Sequence, residues 1–485
     1  MLMNTNPAQS NETNNPFASA PALKKRLTLI GIYVAALATR FISTGTFTVL
    51  PMAANDIGGM SIYPLASTVG GLMSICAMPV YGYIGSRYPW LKRTLLIFSL
   101  SVGAVVLLCE ALAPSMFLII TVNFFYGIVS ASIFVVAYSM IRDLYDAKQA
   151  GIYLGFIGTV TSIGMLAGPA LTGIVIDVLG WRYFYHVGWI LLLLSVFLAF
   201  IGVKVKREDA LALVKTPAKF DLAGSISLML FLLGIVMFLS LGGSYLPFGS
   251  IQSTAFGVLA VVALIVLIGI VVKKRSAAII PSTVLKDRNT VVLALCNLFI
   301  TCSTMALTFF MPSYVINVLH GTALQAGLTT AIYAVLGIFI SPFLGRMIAK
   351  AGSARFVFTL GTIVRVLVTV AFILVLSSET PIWLIYILML IAGFYSAQQN
   401  VTFSTAPQIQ IRQEIRFMGN SVVQTAQNLG SSIGLAVYTL IMATCGLAGG
   451  MNIALIVAGT VAFVALFIGQ FLVKAQKETD GPAGN

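Results

Sequence analysis

Arg40 is the residue of this sequence whose chemistry most needs a setting. It lies about 14 residues, or ~21 Å at helical rise, inside the apolar stretch that begins at Leu27 and runs to Leu50. That is too deep for the side chain to reach a polar edge. A charge at that depth costs about 2.5–3.5 kcal/mol or more, so the guanidinium must face an aqueous cavity or a polar partner. Thr44 and Thr48 continue the same helical face one and two turns on. Five N–H donors in a fixed fork suit a carboxylate or sulfonate, so reversible binding of an anionic or electron-rich ligand is the chemistry expected here. Structural hydrogen bonding to neighbouring carbonyls is the alternative.

Bond-making chemistry lacks its residues. His186 and His320 are far apart, and the five cysteines (Cys76, Cys109, Cys296, Cys302 and Cys445) form no CxxC pair. They are expected to be small buried hydrophobes. The apolar stretches hold no His/Asp/Glu cluster, and no GxxxxGK[ST] phosphate loop occurs, which argues against ATP-driven work by this chain. No catalytic residue, metal or cofactor is expected. A membrane-embedded sensor or enzyme is a remote alternative.

The elements that must carry Arg40 are membrane helices. Of the 485 residues, 59% are hydrophobic and 9% charged, whereas a soluble surface needs about a quarter charged. About 20 apolar residues cross a ~30 Å hydrocarbon core. Windows of that size lie near 27–51, 63–84, 94–113, 116–140, 151–178, 183–203, 221–242, 250–272, 291–317, 323–345, 355–377, 381–403, 419–443 and 448–473. They define helices 1 to 14. The windows are too long for barrel strands and show no sustained alternation. The Asn-rich first 23 residues are expected to form a solvated tail rather than a signal peptide.

Charge gives the orientation. Of 28 basic residues, only Arg182 falls on one side of the membrane so drawn; Arg40 and Arg365 lie within spans, and the rest collect on the other side. By the positive-inside rule that side is cytoplasmic and holds both termini. The net charge of +14 then serves anionic lipids and calls for no nucleic-acid partner.

The two halves of the chain repeat. Val49-Leu50-Pro51, a loop, a span and Gly82 recur as Phe310-Met311-Pro312, a loop, a span and Gly345. Helices 1–6 thus match helices 9–14, with helices 7 and 8 inserted. The expected fold class is an all-α membrane protein of two six-helix pseudo-repeats plus two inserted helices. Its expected divisions are a disordered tail 1–23, a bundle 24–203, the inserted pair with its loops 204–290, a second bundle 291–474 and a tail 475–485.

Three motifs give this chain a family resemblance. In helix 5, Gly164-Met165-Leu166-Ala167-Gly168-Pro169-Ala170-Leu171-Thr172-Gly173 resembles the antiporter motif GxxxGPxxGG, with Thr172 in place of one Gly. Glycines four apart let another backbone approach closely, and the proline allows a bend. Between helices 2 and 3, Gly82-Tyr83-Ile84-Gly85-Ser86-Arg87-Tyr88-Pro89-Trp90-Leu91-Lys92-Arg93 resembles the loop signature GxLaDRxGRR, with Ser86 replacing its Asp and Pro89 its second Gly. The stretch Phe41 to Pro51 resembles the helix-1 signature LDxTIVNVALP, with Ile42 at its Asp. Together they resemble the major facilitator superfamily, and within it the fourteen-helix drug:proton antiporter branch.

The resemblance implies a transporter working by alternating access and a major-facilitator-type fold. Helix 1 would line the central cavity, placing Arg40 and Thr44 there. Asn123 and Tyr126 (helix 4), Asn297 and Thr301 (helix 9), and Tyr395, Gln398 and Gln399 (helix 12) would join them, as would Gln424, Gln427 and Asn428 (helix 13). The first reading of each residue on helices 4, 9, 12 and 13, taken singly, is helix-packing glue, with ligand contact as the alternative. The helix-4 signature carries Arg where this chain has Asn123. Gly82, Arg87, Asp143, Gly164, Gly168, Pro169 and Gly173 would serve conformational gating, with Arg87 pairing with Asp143 and the helix-5 glycines forming a seam near the outer gate. Helix 11 is peripheral in the family, which gives Arg365 a structural role, and Gly430 and Gly434 in helix 13 are expected to serve packing alone. Glu110 and Asp177 fall near the outer ends of helices 3 and 5, and Asp221 at the start of helix 7. No acidic residue then stands mid-span, which counts against a cationic drug as substrate.

The expected function is secondary active export of small amphipathic molecules across a cytoplasmic membrane. An organic-anion carrier organised around Arg40 is the second reading. The expected partners are a small-molecule substrate, a coupling ion such as the proton, and membrane lipids, with no obligatory protein partner.

Overall fold

The computed structural model describes residues 20–59, 64–204, 221–241, 250–274, 278 and 280–472. Among these residues every regular element is a helix. The first six long helices are α1 (Ala22–Ile57), α2 (Pro64–Arg87), α3 (Lys92–Ala111), α4 (Met116–Leu144), α5 (Ala147–Leu179) and α6 (Trp181–Ile201). Then come α7 (Leu222–Leu241) and α8 (Ile251–Lys274). The last set is α9 (Arg288–Asn317), α10 (Ala323–Ala351), α11 (Arg355–Val375), α12 (Ile382–Gln410) and the run Arg416–Gly469. That run turns at Gly446, whose φ of 71° and ψ of 166° suit glycine. The turn separates α13 (416–445) from α14 (447–469).

Helices therefore stand at all fourteen windows, but twelve of them, among the described residues, are long and apolar enough to cross a membrane. The other two windows are those of α7 and α13. In α7, which runs Leu222–Leu241, the stretch whose side chains are described is Ala223–Ile235. In α13, Asn420, Ser421 and Gln424 are buried in the protein interior, which dilutes its hydropathy.

Helix ends follow from local chemistry. Asp146 and Asp287 accept hydrogen bonds from the amides of Gln149 (2.6 Å) and Thr290 (2.9 Å), and Thr322 with Gln325 forms a capping box at α10. One element departs from α-geometry: Ile133–Ala137, within α4, is π-helical.

Packing gives two six-helix halves. One core joins α1–α6 around Phe41, Ile42, Leu107, Phe184 and Leu192. Helices α9–α14 pack around Phe310, Tyr314, Phe372 and Tyr438. Between them in sequence, α7 packs on α8, where a Cβ at Gly234 would lie 2.7 Å from the Ala260 amide nitrogen. It also meets α2, Cys76 Sγ lying 3.7 Å from Met229 O. Val258, Val261 and Ile265 of α8 are exposed, an apolar face suited to lipid.

One end of the bundle carries Lys92, Arg93, Arg142, Lys274, Arg346, Lys350 and Arg412 and is termed the basic end. At the far end, Trp181 Nε1 (3.0 Å) and Arg182 (2.8 Å) donate to Asp56, tying the end of α1 to α6. These two hydrogen bonds, Trp181 foremost, hold the Asp56 carboxyl below the usual carboxylate range. The basic loop 205–219, used to orient the chain, lies outside the described residues, as do both tails.

Candidate functional site

The helix-5 glycines meet α1. A Cβ at Gly164 would lie 2.9 Å from both Arg40 Cβ and Leu37 O, and one at Gly168 would run into Thr44 Oγ1 and lie 3.0 Å from Phe41 O. The seam is a close approach of two helices, internal to the first half, and it flanks Arg40. Pro169 and Gly173 lie in the same helix, and their surroundings are outside the described residues, as is the Thr48 side chain. Helix α13 repeats the device: a Cβ at Gly434 would lie 2.7 Å from Cys302 O of α9, and Gly430 backs onto Leu298. Two glycines four residues apart thus bring α5 to α1 and α13 to α9, as the internal repeat requires.

Arg40 itself is half-buried. Its guanidinium carbon lies 4.9 Å from the centre of the Phe134 ring, and its Nε is buried without a hydrogen-bond partner. Tyr138 stands within electrostatic reach. Phe134 belongs to the π-helical segment, where the i→i−4 ladder is broken. Its carbonyl accepts instead from Asn420 Nδ2 of α13 at 3.1 Å. The ring that covers Arg40 is thereby held from the other half of the molecule. Thr44 donates to Arg40 O at 2.9 Å and fills the seam.

Asn123 and Tyr126 lie elsewhere in the first half. Asn123 is buried and donates to Glu110 Oε1 at 2.7 Å and Ile119 O at 3.0 Å. The Tyr126 hydroxyl is buried beside Thr39. Glu110 stands at the end of α3, where it was expected, but it is only 2% exposed, so its carboxyl does not face solution. A helical side chain leans toward its helix N-terminus, which carries this carboxylate back into the bundle.

The residues expected from α9 and α12 gather around Arg365, which is 1% exposed. Its terminal nitrogens donate to Thr304 Oγ1 (2.6 Å), Ile300 O (3.3 Å) and Gln399 Oε1 (2.8 Å), and its guanidinium carbon lies 4.1 Å from the Tyr395 ring centre. Gln399 Nε2 donates to Thr301, whose hydroxyl donates to Asn297 Oδ1; Asn297 Nδ2 reaches Val423 O. Gln398 bonds Thr402 within α12. Asn297, Thr301, Tyr395 and Gln398 are all buried. They form the interior of the second half around a second deep arginine. Among the described residues, neither Arg40 nor Arg365 forms an ion pair.

The halves meet from the basic end to mid-bundle. On one side α2 receives α13: a Cβ at Gly82 would lie 2.6 Å from Ser421 Oγ, and one at Gly85 would enter the Phe417 ring. Ser421 donates to Met78 O at 2.6 Å, and Asn428 Nδ2 lies 3.3 Å from Met78 Sδ. On the other side α5 receives α10. A Cβ at Gly155 would lie 3.0 Å from Ser341 O and 3.1 Å from Gly345 Cα, and Thr159 donates to Ile338 O at 2.9 Å. The glycines of the two basic loops, Gly82 and Gly345, are thus matched contact points. Asp143 pairs with Lys92 at 2.6 Å, and that Lys92 nitrogen lies 4.6 Å from the Phe417 ring centre. Arg87, the residue expected to pair with Asp143, sits 5.8 Å from the Tyr83 ring centre. Toward the far end, a Cβ at Gly71 of α2 or Gly327 of α10 would meet nothing within 4 Å.

Phe134, Asn420, Lys92, Phe417 and Glu110 were not among the expected site residues. Gly85 and Lys92 stand in the loop signature; a π segment has no comparable sequence mark. A shallow cavity of about 310 Å³ lined by His320, Gln325, Glu379 and Thr380 lies among far-end loops, apart from Arg40.

A family model described as the Major Facilitator Superfamily matches residues 32–435 and 293–483. The chain is 22% identical over 333 residues to the multidrug transporter protein MdtP of Bacillus subtilis (strain 168), covering 68% of this chain and 59% of that protein. It is 23% identical to multidrug resistance protein 3 of the same organism, covering 84% of this chain and 77% of that one. The riboflavin transporter RibZ of Clostridioides difficile (strain 630) is 21% identical over 84% of this chain and 86% of its own. Among solved structures, the human organic anion transporter MFSD10 (TETRAN) shares the fold, with a TM-score of 0.65 at 13% identity over 93% of this chain and 100% of that one.

Proposed function

The chain belongs to the Major Facilitator Superfamily, and we propose that this multi-pass transporter exports small amphipathic molecules by alternating access. Residues 24–203 and 291–474 are the two moving bodies, and 204–290 contributes the two inserted helices. The basic end is cytoplasmic and both termini lie there. The described conformation is then closed to the cytoplasm and open outward. The observation that carries this reading is the matched closure of α2 on α13 and α5 on α10, whose glycine contacts among the described residues lie between the basic end and mid-bundle. Interfaces built on glycine and serine contacts are geometrically demanding, which suits a state that forms and breaks as a unit. Relatives named as a multidrug transporter protein, a multidrug resistance protein and efflux pumps support export as the direction.

A second reading keeps an organic anion as substrate. It is favoured by two deep arginines, Arg40 and Arg365, with no carboxylate paired to either among the described residues. Proteoliposomes loaded with ethidium or with fluorescein distinguish the two readings. Protein-dependent movement of ethidium supports amphipathic drug export, and movement of fluorescein alone supports the anion carrier. Movement of neither under a pH or sodium gradient would overturn both.

Orientation has its own test. A cysteine introduced at Arg412 should react with a membrane-impermeant maleimide only from the cytoplasmic side, and one at Arg182 only from outside. The reverse pattern would invert the topology.

A further inference from the structure

We infer that Glu110 is a proton-carrying site, reached from the far end and held in the first half by Asn123. Its placement carries the inference. Although Glu110 is the penultimate residue of α3, its Oε1 meets Asn123, the eighth residue of α4, which lies ~10 Å in from the start of that helix. The carboxyl is thus inside the bundle, at a depth where ionisable groups are costly and mark ion pathways.

The surroundings do not fix its charge. Asn123 Nδ2 is the donor to Glu110 and divides itself between Oε1 and Ile119 O. Among the described residues Glu110 is in no ion pair. One shared amide hydrogen bond falls short of replacing the water lost by a buried carboxylate, so the neutral acid is a state this site can hold. Two further hydroxyls lie within electrostatic reach: Tyr126 from α4 and Tyr185 from α6. The Tyr185 hydroxyl is buried without a hydrogen-bond partner, and Tyr126 stands beside Thr39. An orphaned hydroxyl beside a carboxyl is a group whose hydrogen bonding would change with its protonation.

On the far-end side, the Arg182 guanidinium bonds Asp56 at 2.8 Å and lies 3.4 Å from Ala113 O, in the turn that follows Glu110. Arg182 and Asp56 are partly exposed and mark the approach from solution. The step is simple: a proton from far-side water forms an O–H bond at Oε2, the oxygen that does not face Asn123, and the charge of the carboxylate is cancelled. Its release after the halves rock returns the carboxylate.

This inference rests on the transporter reading, since a proton site without a cycle would have no task. The two are separated by measuring the site without substrate. Infrared difference spectra of the purified protein between acidic and alkaline pH should show a buried carboxylic-acid band that is missing in Glu110→Gln and shifted in Asn123→Leu. The glutamine variant keeps an oxygen that accepts from Asn123, so the local packing is retained. In proteoliposomes, Glu110→Gln should lose transport of ethidium or fluorescein driven by a pH gradient while keeping counterflow exchange, and Glu110→Asp should retain part of the driven transport. A band present with no transport of either probe would leave the site standing and sink the transporter reading. No titrating band assigned to Glu110, or full pH-driven transport by Glu110→Gln, would overturn the proton site.

Discussion

Arg40→Ala should lower substrate affinity by roughly 30- to 150-fold, the equivalent of about 2–3 kcal/mol for a charge-assisted contact in a water-poor site. The guanidinium is held by an aromatic face, not by a carboxylate, and its Nε–H has no acceptor. A ligand that supplies an acceptor therefore gains a strong contact without breaking an existing ion pair. Alanine keeps the Cβ that packs against Gly164, so the α1–α5 seam is preserved and the protein should fold. Arg40→Lys should give an intermediate loss, because the ammonium keeps the charge but gives up the planar fork that lies over Phe134. Affinity and melting temperature measured on the same purified variant decide the matter. An unchanged affinity in a well-folded Arg40→Ala protein would remove Arg40 from the site, and a lowered melting temperature alone would make it a structural residue.

Gly155→Leu should abolish transport and leave each half intact. A Cβ at Gly155 would already sit 3.0 Å from Ser341 O, 3.1 Å from Gly345 Cα and 3.2 Å from Pro342 Cα, all in the opposite half. Backbone atoms on both sides leave little freedom to yield, so overpacking should cost about 3 kcal/mol or more in the closed state only. That shifts the balance between closed and open basic ends by about 100-fold or more. The readout is a cysteine pair across α5 and α10 near the basic end. Its oxidative crosslink should form readily in the parent protein and be nearly lost in the variant, with expression and melting temperature preserved. Normal crosslinking and normal transport would show that this closure is not part of the cycle. Gly168→Leu is the contrasting case. Its neighbours, Thr44 and Phe41, belong to the same half, so it should also abolish transport but lower thermal stability as well.

The partition of Arg365 and Arg40 illustrates how far local pattern reaches. Both are arginines in apolar helices, and hydropathy treats them alike. Their difference lies in what the neighbouring helices bring: Thr304 and Gln399 for Arg365, an aromatic ring and no acceptor at Nε for Arg40. Asn123 was expected on a cavity-lining helix, and its partner there, Glu110, comes from the neighbouring helix. Sequence numbering put Glu110 near a helix end; the lean of a helical side chain, and the cover supplied by α4 and α6, put its carboxyl inside.

Properties that depend on neighbours along the chain were legible before any fold was known. The apolar windows, the basic residues between them, the Gly164 and Gly168 spacing and the repeat of Gly82 in Gly345 are such properties. The solvent enforces them one segment at a time: lipid requires each span to satisfy its own backbone hydrogen bonds, and charge stays where water is. Which helix each glycine receives, that Lys92 reaches Asp143 and where the Glu110 carboxyl ends up depend on the tertiary structure. Contacts such as Asn420 to Phe134, 286 residues apart, are choices among many similar small and polar residues on similar helices. Only the packing of the two halves, each constrained by the other, selects among them.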